Sequence, residues 1–459
     1  MRLHLVTILT FAVAMTLSAQ PASDTAARII DHQLTQSQSY ETLAYLADNI
    51  GPRLSGSRGA ALAVDWTTKR FRDWGIDVRQ ERVMVPHWVR GAERAHLTSH
   101  NRQEIILTTL GGSVATPPAG ITADVIEVTS YEQLAELGRE KVAGKIVLYN
   151  KAMDMELVER GEAFQAYSGA VIFRSSGASR AAEHGAVAAV VRSVASASLR
   201  TPHTGALRYD PNQPRIPSAA VTSEDADLIS RLLAKGERVR MNLVLTPRTL
   251  PDAVSANVVA EIRGRELPNE IILIGGHLDS WDIGTGAIDN GSGVSMVMET
   301  MRLMKELNIQ PRRTVRAVLF MNEENGMAGA HAYFNSVVKR GELHRHVAVV
   351  ETDAGVDDPV GFISTLEGTS LEAARARMDV LSRIGPLWFR SSRFVGADTS
   401  PLTSAGIPGF GLVPNPRHYF DYHHTAADTL DKVDPKALAR NTAAFAALTY
   451  MLAEEGLGE

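Results

Sequence analysis

Residues 270–301 read EIILIGGHLDSWDIGTGAIDNGSGVSMVMETM. The run 271–274 is apolar without alternation, the pattern of a strand buried on both faces rather than wetted on one. Two glycines and His277 follow at once, with Asp279 two residues on. After a turn of small residues, Asp289 stands where a helix should begin, and the Val, Met and Leu of 294–307 recur at helical spacing. Strand, ligand-type residue, turn and helix make up the unit of a parallel α/β sheet, whose functional crevice lies at the carboxyl ends of its strands. The methionines of that helix are expected in the core, as soft fillers of irregular gaps, and not on a metal.

The same unit recurs downstream. The apolar run 315–320 leads into Met321-Asn322-Glu323-Glu324, 347–350 into Glu351-Thr352-Asp353, and 410–413 into a loop that reaches His423-His424. The fold class expected is therefore α/β, a mixed and largely parallel sheet flanked by helices. Upstream, residues 25–85 look mostly helical, broken by the Gly- and Ser-rich stretch 51–57, with helical spacing over 60–74 and an extended segment at 77–83. At 116–120 the composition shifts, and short β-rich runs such as 145–149 follow, then an Ala-rich helix and the apolar run 185–191. We expect an inserted domain over 116–249, dividing a discontinuous domain over 25–115 and 250–459.

The bulk composition agrees with this organisation. A chain of 459 residues exceeds one ordinary core, and 44% hydrophobic with 22% charged residues is a globular composition. A net charge of -5 excludes a general nucleic-acid binder, which needs a basic face. Residues 1–19 read as an export signal: Arg2, an apolar run over 3–17, then Ser18-Ala19. The other reading is an uncleaved anchor, but the run falls short of the ~20 residues that a spanning helix needs. With no later span in the sequence, we expect an exported protein, periplasmic or extracellular, without stable membrane insertion once the signal is removed. The absence of cysteine rules out disulfides, thiolate ligands and a cysteine nucleophile.

Any metal must then be held by histidine and carboxylate, both suitable zinc ligands. An ion pair about 3.5–4 Å apart needs a bridging carboxylate, and Asp289 is well placed for it. Asp279, at i+2 on an extended chain, is expected to steady the His277 ring. Of the neighbours Glu323 and Glu324, one can bind metal while the other acts as base; without a cation two such acids repel. Each motif alone is usually bland: His-x-Asp or Glu-Glu is a solvated pair, Asp289 a helix N-cap. Five in order, each tied to a buried strand, favour a metal centre.

The strings GGHLDSWDIGTGAIDNGSG, NEENGMAGA, ETDAG, GADTSPL and HHTAADT resemble the co-catalytic zinc exopeptidases of peptidase family M28. NIGPRLSGS, TPPAGITADV, AGKIVLYN and RSVASASLRTPHTG are similar to its plasma glutamate carboxypeptidase branch. The resemblance spans almost the whole chain after residue 20, and the inserted region resembles a protease-associated domain. It implies two zinc ions, with His277 and Asp353 on one, Glu324 and His424 on the other, and Asp289 bridging. His423 is the fallback for His424. It implies Glu323 as general base, Asp279 as the residue orienting His277, and Asp398 in the GxD loop. The implied activity is carboxypeptidase or dipeptidase action on short peptides by a homodimer. An aminopeptidase of the same family and a non-catalytic binding module are the alternatives. In the insert, Arg200-Thr201-Pro202-His203-Thr204-Gly205 is either a surface turn or a loop lining the cleft or a dimer contact.

Overall fold

The computed structural model describes residues 21–457; the export segment expected over 1–19 lies outside them. Two eight-stranded sheets carry the chain. The first runs in the order Asp77–Val89, Arg248–Ile262, Arg313–Phe320, Leu267–His277, His346–Glu351, Gly409–Pro414, Pro359–Ser364 and Trp388–Ser391. Its four middle strands, from Arg313–Phe320 to Gly409–Pro414, are mutually parallel, and antiparallel neighbours flank them. All four apolar runs noted in the sequence lie in these middle strands.

Alternate residues of a strand point to opposite faces, and both faces here need cover. Ile272 and Ile274 face a core that holds Met296, Met298, Met301 and Met304 of helix Ser292–Glu306, all buried. Leu273 and Val318 face a second cluster with Ala330, Tyr333 and Val337 of helix Ala328–Lys339. The closing helix Pro435–Glu455 starts with Asp434 capping the Lys436 amide at 2.9 Å and proline at the first turn. Its alanines let it pack closely on Ala22–Gln36 and Ser292–Glu306. Near the N-terminus the helical character stops at Asp73. The extended segment grows into the edge strand Asp77–Val89, since Arg248–Ile262 offers a partner along most of its length.

The second sheet runs Gln103–Ile105, Glu93–Leu97, Arg240–Leu245, Ile121–Val128, Ile146–Tyr149, Ala188–Arg192, Ser218–Val221 and Leu107–Thr109. It has its own cores, one on Ile146 and Leu148 and one on Val147 and Tyr149. Its limits depart from the expected boundary at 116: strands within 93–109 pair into this sheet, Glu93–Leu97 antiparallel to Arg240–Leu245. A short half-buried strand carries no mark of the sheet it will join, so composition placed the boundary too late. Among the described residues no helix is long and apolar enough to cross a membrane.

Candidate metal centre

The parallel strands end together and bring their acids and imidazoles to one rim. His277 closes strand Leu267–His277, and its Nε2 lies 3.1 Å from Asp289 Oδ1 and 3.1 Å from Asp353 Oδ1. His424 Nε2 lies 3.2 Å from Asp289 Oδ2 and 3.0 Å from Glu324 Oε2. Asp289 therefore gives one oxygen to each of two histidine–carboxylate pairs. His277, Asp289, Glu324 and His424 are buried and Asp353 is partly so. His423 stacks on His424, with ring centroids 3.6 Å apart and Nε2 3.5 Å from Asp289 Oδ2. Asp289, His423 and His424 are also close enough to share an ion.

Local structure fixes each donor. His277 Nδ1 meets the main-chain carbonyl of Asp279 at 3.0 Å, which turns Nε2 toward the acids. The Asp279 carboxylate, expected to steady that ring, is 3.8 Å from Nδ1 and is otherwise engaged. Its Oδ1 accepts from the amides of Asn322 (2.7 Å) and Glu323 (3.0 Å), and its Oδ2 from that of Glu324 (3.3 Å). Its principal work is thus to hold the turn that carries the paired glutamates. Asp428, in the string HHTAADT, does the same for the bridging residue: it accepts from Ile288 N at 2.6 Å and Asp289 N at 3.2 Å.

Beneath the turn lies Arg53, wholly buried. It donates through Nε to Leu278 O (2.9 Å), through Nη1 to Gly51 O (3.0 Å) and Thr285 O (2.7 Å), and through Nη2 to Gly286 O (2.8 Å). Gly286 has φ +60°, and a Cβ there would fall 2.3 Å from that of Ser280, so only glycine lets the turn close over the guanidinium. Asp398 lies behind the cluster, buried, with neither carboxylate oxygen hydrogen-bonded. Beside it Glu351 accepts from the amides of Asp398 (3.1 Å) and Thr399 (2.7 Å).

The electrostatics are those of crowded, desolvated acids. Burial pushes Glu323 well above the usual carboxylate range; Asp353, Glu324 and Asp289 add to the shift and His277 opposes it. Burial and Asp289 raise Glu324 to about 7. Burial would lower His424, but Glu324 and Asp289 outweigh it and raise the imidazole to about 9. Burial and Asp289 carry Asp428 to about 7, and burial lowers Arg53 to about 10 against the pull of Asp428 and Asp279. Such clustering of shifted groups in a cleft marks a functional site.

Sequence reading missed Arg53, Asp428 and Glu351. All three stand inside strings noted above, NIGPRLSGS, HHTAADT and ETDAG, but their partners are main-chain atoms, most of them distant in sequence. The loop 200–205 is no surface turn: His203 is buried, with burial lowering its imidazole to about 3, and Thr204 lies against His424.

Residues 257–449 match the description "Peptidase family M28", and residues 111–229 match "PA domain". The chain is 39% identical to human carboxypeptidase Q over 423 residues, 91% of this chain and 86% of that one. It is 23% identical to aminopeptidase YwaD of Bacillus subtilis over 414 residues, 87% of this chain and 81% of that one. Among solved structures, a peptidase M28 precursor from Shewanella amazonensis superposes with a TM-score of 0.90 at 34% identity, covering 95% of this chain and 97% of that one. With the rim of histidine and carboxylate at the carboxyl ends of its parallel strands, and a PA domain inserted in it, the chain belongs to peptidase family M28.

Proposed function

We propose that this M28 peptidase is a two-zinc exopeptidase that hydrolyses dipeptides and short peptides. His277 and Asp353 hold one ion, Glu324 and His424 the other, Asp289 bridges, and Glu323 is the general base. The observation that carries the reading is the division of the two Asp289 oxygens between two histidine–carboxylate pairs.

The donor set fits zinc. It offers imidazole nitrogen and carboxylate oxygen only, from three carboxylates and two histidines in a buried place that favours cations over bare negative charge. Glu324 Oε1 is buried without a hydrogen-bond partner, a donor free for a ligand. When bound, the ions supply a Lewis acid for the scissile carbonyl and an acidified water. The chain's own residues do the rest. Glu323, raised by burial, takes a proton from the attacking water and returns it to the leaving amine. Asp279 fixes the main chain of that glutamate, so the base does not wander from the rim. No serine or cysteine nucleophile is required.

Higher identity to carboxypeptidase Q than to the aminopeptidase supports a carboxypeptidase or dipeptidase preference. The apolar segment 3–17 supports export, and pairing as a homodimer belongs to the same reading. Purified protein with added zinc should be given dipeptides with free termini, N-acetylated and C-amidated. Cleavage of free and N-acetylated substrates is expected. Cleavage confined to substrates with a free N-terminus, C-amidated ones included, assigns aminopeptidase action instead. Hydrolysis of none of them overturns the exopeptidase reading.

A further inference from the structure

The PA insert reaches the candidate centre through the main chain of Thr204. The Thr204 amide donates to the His424 carbonyl at 2.9 Å, and its own carbonyl stands 3.3 Å from His424 Nδ1. With its Nδ1 edge against that carbonyl, the ring turns Nε2 to Glu324 and Asp289.

The same carbonyl accepts from Arg174 Nη1 at 3.3 Å, and Nη1 is itself 3.3 Å from His424 Nδ1. Arg174 belongs to the insert's helix Ala163–Glu183 and is buried. Its Nη2 donates to Tyr167 Oη at 2.7 Å, and the Tyr167 ring stacks on Phe420 at 4.6 Å and stands edge-on to His423. Gly205, with φ +142°, makes room for the guanidinium: a Cβ there would lie 2.3 Å from its central carbon. Arg174 Nε has no partner. A buried guanidinium with an unpaired N–H is an expensive way to close a loop, since desolvating the charge is only partly offset by its bonds. The arrangement is economical only if the position of the Thr204 carbonyl matters.

We propose that Arg174 is a positioning residue: by pinning the Thr204 carbonyl it holds the His424 ring with Nε2 turned to Glu324 and Asp289. The PA insert thereby completes one half of the metal centre. The inference rests on the two-zinc reading above.

The test is zinc binding by full-length, chelator-stripped protein, measured by competition with a zinc indicator. Wild type should take up two equivalents. Arg174→Gln should loosen one of them by about 10–100-fold, the usual cost of losing a partner behind a metal ligand, and leave the other unchanged. Arg174→Lys, which can still donate to the carbonyl, should restore part of the loss. Tyr167→Phe removes only the hydroxyl that holds the guanidinium, and should loosen the same equivalent by a smaller factor. It decides the matter if Arg174→Gln fails to fold. Unchanged affinities in the variants overturn the proposal, and so does equal weakening of both equivalents, the mark of a general loosening. Wild-type protein that binds fewer than two equivalents overturns the two-zinc reading, and this inference with it.

Discussion

Glu323 and Glu324 are adjacent and chemically alike, yet the chain gives them different surroundings. Glu324 stands 3.0 Å from His424 Nε2, whereas Glu323 is held through its main chain by Asp279, leaving its carboxyl to the cleft. If Glu323 is the base, Glu323→Gln keeps shape and metal but removes the proton acceptor. Turnover should then fall at least about 100-fold with bound zinc unchanged; a variant near wild-type turnover would show that the base lies elsewhere. The acids and imidazoles of the rim were legible in the sequence because each follows a buried strand that fixes where it must emerge. Arg53, Asp428 and Arg174 were not. An arginine buried among carbonyls looks in sequence like any surface arginine, because its partners are backbone atoms that every residue carries. The case of Asp279 is instructive in the same way: its spacing from His277 pointed correctly to a contact with the ring, but it was the carbonyl that made it. The carboxylate was drawn to three amides of a loop more than forty residues away.

The elements themselves were legible where hydrophobic period and length agreed, as in the four parallel strands and helix Ser292–Glu306. They were less so where pairing decides, as with Glu93–Leu97, whose partner lies well over a hundred residues on. A further link between elements, invisible in sequence, joins two strands and a helix behind the parallel sheet. Arg316 Nη1 donates to Tyr333 Oη at 3.0 Å, and Tyr333 Oη lies 2.9 Å from His346 Nε2. His346 Nδ1 lies 3.2 Å from the Glu342 carbonyl. Nδ1 donates to that carbonyl, and Tyr333 Oη, which accepts from Arg316, has its own hydrogen to give to Nε2, the pattern of a neutral ring. Burial, with Arg316 nearby, lowers this imidazole to about 4 from an ordinary 6.5. Below 6.5 the unfolded chain binds a proton that the fold refuses, so this stability is complete above 6.5 and is lost as pH falls toward 4. At pH 5 the loss is about 2 kcal/mol for this residue. Urea unfolding at pH 7.5 and pH 5 should therefore give a smaller pH-dependent loss for His346→Gln than for wild type. Parallel losses in the two proteins would remove His346 from the account.

At the scale of the whole molecule, each sheet has apolar cores of its own, but the insert also lends Met153, Val158, Ala163, Ala166 and Ala170 to the main core of the first, and the two meet again at the rim. Ser196 N donates to Phe420 O at 3.2 Å, Arg90 Nη2 to Thr204 Oγ1 at 3.2 Å, and Arg90 Nε to Asp282 at 2.9 Å. The segments on either side of these contacts are the ones that carry His277, Asp289 and His424. Ions seated there would hold together the strand ends, and through Thr204 the insert as well. They would also relieve Asp289, Glu324 and the half-buried Asp353 of their mutual repulsion. An ion that binds the fold and not the unfolded chain stabilises it by about 2.7 kcal/mol when present at 100 times its dissociation constant. For two such ions, and an unfolding entropy of roughly 2.1 cal/mol/K per residue, the midpoint should rise by about 6 °C in a chain of 459 residues. Calorimetry should thus give a lower Tm for chelator-stripped protein, regained on adding two equivalents of zinc. A stripped protein, verified free of metal, that unfolds at the wild-type temperature would mean that the rim binds its cations without bearing on the fold.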